Sequence, residues 1–420
     1  MRNRAAAAFV VVAAVVASTF LGAAPASADY IRDGEYWLTQ YGITKAWATT
    51  EGKGVTIAII DTGVDGSHSD LTGAVVGGAD FSGDGSSNGQ TPVGSDSDHG
   101  TMVASLAAGR GTGASDGIIG VAPQASLLSI SIGFGQGTTD SDDQVADAVI
   151  WAVDHGADVI NMSLTRNTLS WPESWDKAFL YAMDHNVVVV AAAGNRGSGT
   201  TSVGAPATMP GVLTVAGVDR NGAASLDASA QGITIGVSAP SEQLLGAVPG
   251  GGVVIWNGTS GSTPIVAGVA ALVIAAHPGL SAANVINRII KTATPAGAAG
   301  ADPIYGFGLV NAAAAVNNTV ASVTANPMGS LTDWIRINRR AAGTATPTLP
   351  PVTPTPSATS TSAPVVEAAG PQNPLGTLYP SAIELRTVGL PVLVLLIFAV
   401  LLVLLIVVAT RHFRYLSRRE

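Results

Sequence analysis

Val55-Thr56-Ile57-Ala58-Ile59-Ile60-Asp61-Thr62-Gly63 is a short, uncharged, β-branched run that stops on a carboxylate and a turn. Such a run suits a strand buried on both faces, as in a parallel sheet. Residues 127–132, 159–162, 187–192 and 212–218 repeat the pattern. Helical patterns lie between these runs. Ser141-Asp142-Asp143-Gln144 reads as a capping box with Ser141 as N-cap. Val145, Ala148, Val149, Ala152 and Val153 then share a face, and Gly156 closes the helix. Ser281 reads as the cap of a helix over 282–293, with Val285, Ile289 and Ile290 on one side. Strand alternating with helix predicts an α/β fold, a mainly parallel sheet with helices on both faces. In such sheets ligands gather at the carboxyl ends of the strands.

Those strand ends and the helix starts carry the chemistry. Asp61 follows its strand directly; alone it reads equally well as a carboxylate capping a turn. A single Asp-Thr-Gly does not make an aspartic protease, which needs two carboxylates sharing a proton. His99 stands in Asp98-His99-Gly100-Thr101-Met102-Val103-Ala104, at the start of a small-residue helix, with Gly100 allowing close approach. Asn195 ends the run over 187–195, where its amide can bind an oxyanion. Ser260, in Gly258-Thr259-Ser260-Gly261-Ser262-Thr263-Pro264, opens the apolar stretch 265–276. A hydroxyl there faces the free N–H groups of a helix start, which favour negative charge. Gly-x-Ser-x-Gly is absent because position 262 is Ser, which disfavours a lipase-type elbow.

Taken in order, Asp61-Thr62-Gly63-Val64, His99-Gly100-Thr101, Ala193-Gly194-Asn195 and Gly258-Thr259-Ser260 closely resemble the subtilisin-like serine peptidases, over residues 37–316. The resemblance implies a subtilisin-like fold and a serine endopeptidase cleaving protein or peptide substrates through an acyl-enzyme, with no cofactor and no catalytic metal. It implies that Ser260 is the nucleophile, His99 the general base and Asp61 its orienting partner. Asn195 and the Ser260 N–H would form the oxyanion hole, and Ser163, Leu164, Ala193 and Gly194 would border the substrate. Two segments depart from the family pattern. Gly261-Ser262 stands where Met-Ala is usual, and Thr165 replaces the Gly of a Ser-x-Gly segment. Asp140 and Asp142, just after the expected substrate-lining edge, predict a mild preference for basic residues at P2 or P4. Asp80, Asp84 and Asn88 form the candidate structural calcium loop, with a spacing unlike an EF-hand.

The two ends set the expected location. Residues 1–28 read as a signal peptide: Arg2 and Arg4, an apolar core, then Ala26-Ser27-Ala28. Residues 388–409 carry no charge and would span roughly 33 Å as a helix, enough to cross a bilayer. The basic tail 410–420 places the C-terminus in the cytoplasm. Between a peptidase domain over 29–325 and this span, residues 326–387 read as a Pro/Thr/Ser-rich stalk. The expected protein is a single-pass type I membrane protein with its catalytic domain outside the cell. The net charge of −9 excludes nucleic-acid binding as the main business of the chain. The absence of cysteine leaves stability to the core or to bound ions. Cleavage at Ala28 would leave no room for a folding pro-domain, so folding without one is expected. The layout is similar to that of mycosins, which implies secretion-system partners and a structural role as one alternative. Maturation of a single exported peptide is another.

Overall fold

The computed structural model describes residues 27–113, 116–134 and 140–339. The signal peptide up to residue 26, Gly137-Thr138-Thr139, the stalk beyond residue 339, the span 388–409 and the tail 410–420 lie outside the described residues.

Seven strands form one parallel sheet: β1 Thr56–Asp61, β2 Val75–Asp80, β3 Ser126–Ser131, β4 Val159–Met162, β5 Val188–Ala192, β6 Leu213–Val218 and β7 Ile235–Pro240. Their order in space is β2-β3-β1-β4-β5-β6-β7. The chain builds one side of β1 first and the other side afterwards. The C-terminal end of β1 is therefore the switch point, where an open α/β sheet leaves a crevice. The period of two along a strand sorts side chains to opposite faces. Ile57 and Ile59 join one apolar layer, and Ala58 and Ile60 join the other.

The first layer is covered by α4 His99–Ala108 and α7 Thr259–Ala276, together with α8 Ala282–Lys291 and the short N-terminal helices α1 Ser27–Gly34, α2 Tyr36–Gln40 and α3 Ile43–Ala46. The second is covered by α5 Ser141–Asp154 and α6 Glu173–Asp184. Helix α7 is long and apolar enough to cross a membrane, but 78% of it is buried inside the domain. Its all-round apolar surface is that of a helix packed within a core. Among its residues, every one from Thr259 to Val273 is buried.

Several expectations need adjusting. The N-cap of α5 is Asp140, whose side chain accepts from the Asp142 N–H at 3.0 Å; Ser141 is the first helical residue. Asp140 has the extended backbone that an N-cap requires. Ser281 does cap α8, accepting from the Asn284 N–H. Strands β2 and β7 and the antiparallel hairpin β8 Leu244–Ala247 with β9 Val253–Trp256 were not legible beforehand. The folded unit also continues past residue 325. After α9 Ala312–Asn317, helix α10 Leu331–Asn338 buries Leu331, and Arg339 pairs with Asp176 at 2.8 Å. A boundary at 325/326 therefore falls inside the fold, because this segment closes over apolar surface next to Trp171.

Candidate active site

The expected site residues come from six separate segments, and all but the start of α5 meet at the cleft. Asp61 is the last residue of β1 and is fully buried. Its Oδ1 accepts from the Thr62 N–H at 2.8 Å and lies 2.7 Å from His99 Nδ1. His99 is the first residue of α4. The start of α4 is held by the loop after β1: the Gly100 N–H donates to Thr62 Oγ1 at 3.0 Å. A side chain at 100 would run into the Gly63 carbonyl, so the close approach expected of Gly100 is real.

The His99 side chain is 16% exposed and Asp61's is 0%. Burial draws the imidazole pKa down, but the charge and hydrogen bond of Asp61, helped by Asp96, hold it above its ordinary value. The contact with a carboxylate places the proton on Nδ1 and leaves Nε2 as an acceptor.

Ser260 is the second residue of the 18-residue α7, where its N–H has no helical acceptor. Its hydroxyl donates to the Ser163 carbonyl at 3.2 Å, and the Ser163 hydroxyl donates to the Ser260 carbonyl at 2.8 Å. Asn161 steadies this pair by donating to Ser163 Oγ at 3.0 Å. Ser163 thus ties the end of β4 to the helix start.

Asn195 follows β5. Its Oδ1 accepts both the Thr259 N–H and the Thr259 hydroxyl, each at 2.8 Å. The Thr259 hydroxyl in turn accepts from the Gly194 N–H at 3.1 Å. With its oxygen committed, the Asn195 amide presents Nδ2 as a donor. Gly258, with φ 146°, permits this: a Cβ there would lie 3.0 Å from Asn195 Nδ2. Thr259 and Asn161 support the candidate site residues through hydrogen bonds that the sequence does not announce. Thr259 sits inside a quoted motif, but its role depends on a residue 64 positions away.

A cavity of about 240 Å³ opens beside His99, between Thr62 and Asp96 on one side and Phe134, Leu164 and Thr165 on the other. Ser163 and Leu164 border it as expected. Thr165, in place of Gly, adds a side chain to its wall. Ala193 and Gly194 are pinned by backbone bonds, Ala193 N–H to Val215 and Gly194 carbonyl from Ala230. Asp140 and Asp142 do not line the cavity. Asp140 caps its helix, and Asp142 pairs with Arg166 at 2.6 Å, so both carboxylates are engaged within the protein. Asp96 is the carboxylate at the cavity.

Of the candidate calcium residues, Asp80 and Asn88 have side-chain oxygens engaged by neighbouring protein donors. Asp80 accepts from the hydroxyls of Ser82 and Ser131 and from the N–H groups of Gly83 and Gly85. Burial works against its charge, but these donors hold its carboxyl below the usual range. The Asn88 side-chain Oδ1 accepts from the Ser86 hydroxyl and the Gln90 N–H. Among the described residues no group of three or more His, Cys, Asp or Glu could hold a metal ion.

A buried Asp–His pair, a serine at a helix start and a fixed Asn amide at the switch point of a parallel sheet define the class: an α/β serine peptidase. The model of the Subtilase family matches residues 52–308, and the chain belongs to that family. It is 38% identical over 270 residues to subtilisin E of Bacillus subtilis (strain 168), covering 63% of this chain and 66% of that protein. It is 39% identical over 284 residues to thermitase of Thermoactinomyces vulgaris, covering 66% and 95%. Among solved structures it resembles MycP1 from the ESX-1 type VII secretion system, with TM-score 0.59 and 31% identity over 70% of this chain and 88% of that one.

Proposed function

We propose that this subtilase is a membrane-anchored endopeptidase whose catalytic domain lies outside the cell. The supporting observation is the 2.7 Å contact between His99 Nδ1 and the buried Asp61, at the cleft where Ser260 opens α7. Ser260 turns from Ser163 toward His99 Nε2 and attacks the peptide carbonyl. His99 takes the hydroxyl proton and later gives it to the leaving amine, while Asp61 stabilises the imidazolium. The tetrahedral oxygen is held by Asn195 Nδ2 and the Ser260 N–H at the positive end of the helix. Water then hydrolyses the acyl-enzyme. Loss of the Asn195 donor should lower kcat with little change in KM. For Asn195→Leu the expected loss is about 10²–10³-fold, a scale measured in subtilisin and carried over to this relative. Steady-state kinetics on a peptide anilide test it; an unchanged kcat would remove Asn195 from the oxyanion hole.

Substrate choice follows from the cavity beside His99. Its apolar wall, Phe134 and Leu164, suits an aliphatic stem, and the exposed Asp96 at its edge suits a cationic head. Among the described residues no Lys or Arg pairs with Asp96. Peptide-library profiling should show a preference for Lys or Arg on the acyl side. Asp96→Asn should reduce it roughly 2–5-fold, the scale of an exposed ion pair, and added salt should do the same. The same change removes a charge that raises the His99 pKa. Because the base must be neutral, activity rises with pH through that pKa, and the acid limb should move to lower pH in Asp96→Asn. A limb that stays or moves upward contradicts this.

The likeness to a protein of a type VII secretion system supports a second reading, a structural part in a secretion assembly with proteolysis secondary. A cell carrying Ser260→Ala separates the two: secretion that survives this change but fails on deletion of the whole protein favours the structural part.

A further inference from the structure

The departure at position 261 has a counterpart in space. Gly261 is the residue after the proposed nucleophile. A Cβ on it would press into Leu244 Cδ1, well inside van der Waals contact, and would lie 3.3 Å from Trp256 Cζ2 and 3.4 Å from Leu106 Cδ1. The volume beside the helix start is thus taken by side chains of other elements, among them the indole of Trp256 at the end of β9. On the neighbouring strand β8, Gly246 clears the other side of that indole: a Cβ there would lie 2.8 Å from Trp256 Nε1. Two glycines frame the slot in which the ring sits.

The ring's further neighbour is His99. The two ring centroids are 5.8 Å apart at 78°, an edge-to-face arrangement. The Trp256 Nε1–H is buried and has no acceptor among the described residues. A Phe or Leu would fill an apolar slot without stranding a donor, so packing alone does not account for an indole here. Hairpin β8–β9 is also fastened at its tip to the loop that follows Asp61. The Gly250 N–H donates to Asp65 at 2.9 Å, and His68 Nε2 lies 3.2 Å from the Gly252 carbonyl. Trp256 is therefore referenced to the loop that directly follows Asp61.

We propose that Trp256 is a positioning residue for the catalytic imidazole. Asp61 holds the ring at Nδ1, and Trp256 holds it from a second side. The indole limits rotation of His99 away from Ser260 and shields the ring from water while it carries the transferred proton. Gly261 is the accommodation at the helix start that lets the indole come this close. This inference rests on reading His99 as the general base.

Steady-state hydrolysis of a peptide anilide by the full chain tests it, with Trp256→Leu, Trp256→Phe and His99→Ala compared with the unmodified protein. Trp256→Leu should lower kcat about 10–50-fold with KM within about twofold, the signature of a misplaced base, not a lost binding contact. Trp256→Phe, which keeps an aromatic ring, should recover much of the loss, ending about threefold below the starting kcat. Kcat within twofold of normal in Trp256→Leu, a loss carried wholly by KM, or no recovery in Trp256→Phe would overturn the proposal. If Trp256→Leu does not fold, Trp256→Phe decides alone: an unchanged kcat overturns it. His99→Ala separates the layers. If it abolishes turnover while Trp256→Leu does not slow it, only the positioning role falls; if His99→Ala retains turnover, the reading of the site falls with it.

Discussion

Ser260→Ala is expected to abolish peptide hydrolysis while leaving the fold intact, with kcat falling on the order of 10⁶-fold, the scale measured in subtilisin for its own nucleophile. The side chain lost is small. Its hydroxyl makes one hydrogen bond, to the Ser163 carbonyl, and the reciprocal bond from Ser163 to the Ser260 carbonyl uses backbone and survives the change. The helix start keeps its other supports, from the Gly258 N–H to the Ser241 carbonyl and from the Thr259 N–H to Asn195 Oδ1. The unfolding midpoint should therefore shift little, since losing one half-satisfied hydroxyl costs about 1 kcal/mol. Residual hydrolysis above the uncatalysed rate should remain, because Asn195 and the helix N-terminus still stabilise the oxyanion. Kinetics and thermal unfolding on the same preparation check both halves. A kcat within tenfold of normal would mean that another group delivers the nucleophile.

Asp61→Asn should be the second largest effect, a fall in kcat of about 10⁴-fold with KM little changed. Asp61 Oδ1 serves two donors at once, the Thr62 N–H and His99 Nδ1. Its Oδ2 is buried without a protein partner among the described residues. An Asn in this place can keep the Thr62 bond but loses the charge, so the imidazolium formed during reaction is no longer compensated. The Asp61 charge and hydrogen bond are also what hold the His99 pKa above its ordinary value against burial. Without them the imidazole pKa drops, and the acid limb of activity moves to lower pH even as the maximum collapses. The sign is fixed: a base that must be neutral gains its active form at lower pH when its pKa falls. Measuring kcat/KM against pH with enough enzyme to follow the residual rate tests it; a limb displaced to higher pH would contradict the electrostatic account.

Most of the central sheet and the principal residues of the candidate site are legible because each sits at the end of an element whose pattern is strong. The β-branched run into Asp61 and the Val-rich run before Asn195 gave strands with a polar group just past them. The small-residue run behind His99 and the apolar run behind Ser260 gave helices with a polar group at their start. β2 and β7 were not readable because Gly77, Gly78, Gly236 and Pro240 dilute their patterns. The Pro249-Gly250-Gly251-Gly252 turn hid hairpin β8–β9, and with it Trp256. Asn161 and Asp96 carry no local signal, and Thr259, though inside a motif, carries none that points to Asn195. Their roles arise from chain segments that meet only in the folded molecule: Thr259 with Asn195, Asn161 with Ser163, Asp96 with the cavity wall at Phe134 and Leu164. The acid pair Asp140 and Asp142 shows the reverse case, a local pattern with more than one reading. Helix capping and Arg166 use those carboxylates locally, and a sequence reads a capping acid and a substrate-binding acid alike.

Covalent labelling of the full chain by a fluorophosphonate serine-hydrolase probe, followed by mapping of the modified residue, tests the catalytic unit most directly. A single adduct on Ser260 is expected, absent in Ser260→Ala and strongly slowed in His99→Ala and Asp61→Asn. A folded protein that takes up no probe, or that carries it on a different serine, would contradict the assignment of Ser260, His99 and Asp61 as one catalytic unit.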